Sequence, residues 1–198
     1  MSPRSGPGRP AVAPERRAQI LHAFVELLAE RGLESVSLDD VAHAAGVQRS
    51  VIRHFVGNRA DLIRGATEVL AERYQALIRA QLGDTPSLTQ VIDHLFSDRW
   101  VSGMATEDAA LAQLLREAAH DETTRDRIKA MYDQLLAQLA RAIRCEHPTV
   151  TAKVAREHAY VIVCAAEHNA FLRGLGYPTT LSRGATRIVQ RLLDDLPT

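Results

Sequence analysis

The stretch SLDDVAHAAGVQRSVIRHF, residues 37–55, constrains this chain more than any other part of it. It reads as two short helical segments that meet at Gly46 with only a tight turn between them. Leu38, Val41, Ala42 and Ala45 form the apolar face of the first; Val47, Val51, Ile52 and Phe55 face inward from the second. Small alanines let two helices cross closely and the branched residues fill the angle between them, which is the helix-turn-helix arrangement. Ser37 opens the first segment with Asp40 three residues on, the spacing of a capping box. A plain helical hairpin joined by glycine would imitate the pattern. The outer face of the second segment carries Gln48, Arg49, Ser50, Arg53 and His54, side chains able to reach base edges or phosphates.

The same punctuation continues along the chain. Residues 1–13, with Pro3, Gly6, Pro7, Gly8 and Pro10, read as a disordered arm. Pro14 suits the first turn of a helix that carries Ile20, Leu21, Phe24, Leu27 and Leu28 and stops at Gly32. Asn58, followed by Asp61, caps a helix expected to run to about Leu82. Further helices are expected over Leu88–Val101, Thr106 to about His120, Asp121–Ile143, Thr151–Arg173, and from Thr180 or Ser182 to the end. No segment alternates with period two long enough to make a strand. The fold class is therefore all-α, with about nine helices.

Composition agrees. Hydrophobic residues are 46% of the 198, enough for a core, yet aromatics are only 5% and alanines number 30, which favours close-packed helices. No run of about eighteen apolar residues suggests a membrane span. The N-terminus has no apolar core of a secretory signal. Cys145 and Cys164 have no metal-type spacing. These features suggest a cytoplasmic protein with reduced thiols and no cofactor. Zero net charge hides an uneven distribution, because 22 of the 24 basic residues are Arg and residues 1–17 and 48–64 each carry a balance of +3. A local patch of this kind is what phosphates feel, although a solvated Arg-rich surface gives the same count. Arg4 and Arg9 lie in the arm, and basic arms can reach a minor groove.

From Arg16 to about Ala66 the chain resembles the DNA-binding domain of TetR-family transcriptional regulators. Arg31-Gly32, the apolar step from Leu33 to Leu38, Val41-Ala42 through Ala45-Gly46-Val47, and His54-Phe55 carry the match. Two features depart from it: Arg53 stands where the family commonly has Tyr, and Val56-Gly57-Asn58 is a slightly longer link. The resemblance implies a DNA-binding domain over 14–64, a ligand-binding and dimerisation domain over 65–198, and a homodimer on a palindromic double-stranded DNA operator. It also implies a small-molecule effector and a phosphate contact at Arg59. Ser37, at a helix start, is a further expected phosphate contact.

In the larger part, His94, Trp100, Tyr132, Cys164 and His168 are the expected effector contacts, polar anchors among apolar surroundings. Ordinary core packing would explain the same residues. Cys164 and His168 lie four apart on one helix, but no third metal ligand is placed by sequence, so no metal is expected. The eighth helix is apolar on two sides. Ala159, Ile162, Val163 and Ala166 on one of them, with Leu181, Ile188 and Leu192 of the last helix, are expected at a two-fold interface. Neither a G-x-S-x-G elbow nor a phosphate-binding G-x-x-x-x-G-K pattern occurs, so an all-α enzyme or carrier is the weaker alternative.

Overall fold

The computed structural model describes residues 12–82, 87–103 and 105–197. Its elements are α1 (Val12–Arg31), a 3-10 turn (Leu33–Ser35), α2 (Leu38–Ala44), α3 (Arg49–Phe55), α4 (Arg59–Leu82), α5 (Leu88–Leu95), α6 (Asp98–Gly103), α7 (Ala105–Ala118), α8 (Glu122–Glu146), α9 (Ala152–Gly174) and α10 (Thr179–Asp194). Among the described residues there is no strand. Among the described residues ten α-helices stand in place of the expected nine or so, because Leu88–Val101 is two helices. The Ser97 hydroxyl donates to His94 O at 2.7 Å and accepts from Trp100 N at 3.1 Å, ending one helix and starting the next. α1 starts at Val12, inside the segment expected to be an arm; Arg4 and Arg9 lie outside the described residues.

The chain packs as two compact units. One takes in the described residues up to Arg73 and Thr106–Ile128; the other takes in the described residues of Tyr74–Ala105 and those from Lys129 onward. In the first unit Ile20, Leu21, Phe24, Leu28, Val41, Ile52, Leu62, Ala66, Leu70 and Leu114 are buried. Gly65 lies inside α4, where a Cβ would collide with the Leu21 side chain. The missing side chain is thus what lets α1 cross α4 so closely. Arg73 joins Glu26 of α1 at 2.7 Å and the buried Glu107 of α7 at 3.3 Å. Glu68 joins Arg17 of α1 at 3.1 Å and Arg127 of α8 at 2.7 Å. The core of the second unit holds Ile92, Leu95, Phe96, Trp100, Leu139, Ile143, Ala155, Ala159, Ile162, Val163, Ala166, Val189 and Leu193.

Candidate nucleic-acid interface and effector site

The first unit presents two helices in a fixed relation. Ser37 caps α2: its hydroxyl accepts from Asp40 N at 3.2 Å, and the Asp40 carboxylate accepts from Ser37 N at 2.9 Å. The carboxylate also accepts from the Ser37 hydroxyl. That hydroxyl holds the Asp40 carboxyl below its ordinary value, with the Ser37 N–H and Arg31 adding to the effect. Gly46 takes φ 61°, in the left-handed region that glycine adopts without strain. Val47 N donates to Ala42 O at 2.9 Å to close the turn. Gln19 of α1 donates from Nε2 to Ala45 O at 2.9 Å, a brace that the sequence does not announce. Ile52 anchors α3 in the core at 0% exposure, with Val47, Val51 and Phe55 half-buried around it.

Gln48, Arg49, Ser50, Arg53 and His54 are all exposed along α3 and its N-cap. Their engagements differ. Arg49 is ion-paired with Asp39 of α2 at 2.8 Å. Gln48 makes no capping bond, which leaves its amide for other partners. Two expected phosphate contacts are otherwise employed. The Ser37 hydroxyl and N–H are held by Asp40. The Arg59 guanidinium donates to Val36 O at 2.6 Å and to Leu33 O, strapping the start of α4 to the segment before α2. Its fork satisfies two backbone carbonyls, which gives Arg59 a structural engagement in the chain without DNA.

The second unit separates the expected effector residues. His94 and Trp100 are buried and pack edge to face, ring centroids 5.2 Å apart. Tyr74 lies 6.4 Å from Trp100 between centroids. Burial, assisted by Arg99, lowers the His94 pKa, and His94 Nε2 has no hydrogen-bond partner among the described residues. Tyr132 packs half-buried against the same core and donates to Glu167 at 3.3 Å. Cys164 and His168 do not join them: both are exposed, on the opposite side of α9. His168 instead borders a shallow depression of about 250 Å³ with Asn169, Leu172, Tyr177 and Leu181. Among the described residues no group of three or more His, Cys, Asp or Glu could hold a metal ion.

The α9 face expected at an interface lies inside the chain. Ala159, Ile162, Val163 and Ala166 are 0–7% exposed: the small alanines let α9 seat closely against its own core, and Ile162 and Val163 fill it. Leu181, Ile188 and Leu192 are exposed as expected, at 58%, 61% and 40%. On α9 it is Tyr160, Val161, Phe171 and Leu172 that face outward with them, followed by Leu175 and Tyr177. Among the described residues, every exposed large hydrophobic side chain except Leu115 lies between Tyr160 and Leu192.

A capped helix, a glycine turn and a second helix with a polar outer face define a helix-turn-helix protein. Residues 20–66 match the family model of the bacterial regulatory proteins, tetR family. Over these residues the chain carries the segment that this family's model describes. It is similar to the HTH-type transcriptional regulator BetI of Stenotrophomonas maltophilia, 29% identical over 48% of this chain and 50% of that one. The chain thus matches about half the length of this relative. Its fold is that of the TetR-family regulator from Cytophaga hutchinsonii, with a TM-score of 0.78 at 13% identity over 96% of this chain and 99% of that one. A regulator from Saccharomonospora viridis, solved in complex with choline, has a TM-score of 0.70 at 18% identity over 92% of this chain and 97% of that one. No helix among the described residues is long and apolar enough to cross a membrane.

Proposed function

We propose that this chain is a one-component transcriptional repressor rather than an enzyme, acting in the cytoplasm as a homodimer on a palindromic operator. The observation that carries this reading is the braced α2–α3 pair, which holds Gln48, Ser50, Arg53 and His54 outward on a rigid support. DNA reading falls to residues 14–64 of the first unit, and effector binding and pairing fall to the second unit rather than to all of residues 65–198, because residues 65–73 and 106–128 pack with the first. The exposed apolar strip on α9 and α10 is the pairing surface, since a patch of this extent marks an interaction site. Two copies joined there would place two α3 helices on successive major grooves.

A small molecule that enters the second unit releases the operator. His94 and Trp100, with Tyr132 beside them, are its contacts. The unpartnered His94 Nε2 is a polar atom that a ligand would satisfy, and the Trp100 and Tyr74 faces suit a cationic group. Choline is accordingly the first effector to test. The reading is tested by fluorescence anisotropy on a duplex enriched from random DNA. Arg53→Ala weakens binding with a salt slope shallower by about 1 if Arg53 meets a phosphate, or changes base preference if it reads a base. Wild-type affinity, slope and preference in that variant would remove α3 from the interface.

A further inference from the structure

We propose that Asp39 is a specificity-determining residue: from α2 it holds Arg49 of α3 in a fixed orientation and keeps it off the phosphates. The inference rests on the DNA-binding reading above. The Asp39 carboxylate accepts from Arg49 Nη1 at 2.8 Å, across the turn. Asp39 has no part in capping α2, because Ser37 and Asp40 cap it. Nor is the pair there for folding, since 68% of the Asp39 side chain and 49% of the Arg49 side chain are exposed, and ion pairs so open to water stabilise little.

What the pair does is restrict one cation. Arg49 is the first residue of α3, whose first turn holds no acidic residue of its own. Held through Nη1 alone, its guanidinium keeps Nη2 and Nε without other partners among the described residues. A planar fork engaged on one side biases its remaining donors toward the other, the side from which two acceptors on a guanine edge could meet them. An unrestrained arginine instead finds any phosphate. The carboxylate also repels the DNA backbone, so close approach is favourable only where Arg49 meets matching acceptors. A repulsive element of this kind creates specificity by weakening the wrong complexes. The neighbouring Asp40 is occupied by Ser37 and Arg31 and does not compete for Arg49.

The test uses the full chain, a duplex enriched from a random pool, and a mixed-sequence duplex of equal length, each titrated at several salt concentrations. In Asp39→Asn and Asp39→Ala, affinity for the mixed duplex rises and its salt slope steepens by about 1 per protomer, as Arg49 becomes free to bind a phosphate. The ratio of affinities for the two duplexes falls about tenfold, the loss of one oriented base contact. Asp39→Glu retains part of the ratio. Adding Arg49→Ala to Asp39→Ala abolishes the extra slope. An equal rise on both duplexes, or slopes and ratio as in the wild type, overturns the role of Asp39 while leaving DNA binding intact. A wild-type chain that enriches no sequence overturns the DNA-binding reading itself, and the inference with it.

Discussion

Arg59→Ala separates a structural arginine from a DNA-binding one. In the folded chain its two terminal nitrogens donate to Val36 O, at 2.6 Å, and to Leu33 O. Bonds from a charged donor contribute about 1.5–3 kcal/mol each when fully enclosed. The Arg59 residue is exposed, so water can take over both carbonyls, and the expected loss is about 1–2 kcal/mol in total. With a urea dependence of about 2 kcal/mol per molar, that lowers the unfolding midpoint by roughly 0.5–1 M. The same variant, titrated with a mixed-sequence duplex at several salt concentrations, should keep the wild-type salt slope, because a guanidinium bound to carbonyls displaces no counter-ions from phosphate. A midpoint unchanged within error together with a slope shallower by about 1 would refute the strap and make Arg59 a phosphate contact.

Three further outcomes follow from burial and charge. Ile188→Asp alters a side chain that is 61% exposed, so light scattering should detect weaker self-association while circular dichroism shows unchanged helix. Ala166→Glu should do the reverse: at 3% exposure it forces a carboxylate into the core, costs several kcal/mol and melts helix before any dimer is lost. His94 has its pKa lowered by burial from the ordinary 6.5, so the unfolded chain binds the proton first as pH falls. Stability is therefore full above about 6.5 and declines as pH drops toward the lower folded value. In His94→Gln, urea midpoints between about pH 7 and pH 5 should fall less steeply than in the wild type, and parallel declines would exclude the effect.

Caps and breakers carry most of the fold in a form that sequence reveals. Ser37 with Asp40 and Asn58 with Asp61 form the bonds that their spacing implies, and Gly46 takes the positive φ that a tight turn needs. Ser97 was the missed signal: a serine followed by Asp98 is an N-cap, but apolar residues on both sides made the stretch read as one helix. Side-chain roles were less legible. An arginine at a helix start looks the same whether its fork meets phosphates or the carbonyls of Leu33 and Val36. Likewise, Ala159 and Ala166 permit close packing against a second copy or against the same chain, and only burial shows the latter. Cys164 and His168 share a helix with them, and the rotation of α9 that buries the alanines turns those two residues outward.

The central claim is that two α3 helices, joined through α9 and α10, read one DNA site. Enrichment of random duplexes by the wild-type chain, followed by sequencing of the bound pool, tests it directly. The account predicts a two-fold symmetric sequence whose half-sites are centred about one helical turn apart, or a whole multiple of it. It also predicts that Ile188→Asp no longer enriches that sequence. Recovery of a single asymmetric site, bound equally well by Ile188→Asp, would contradict it.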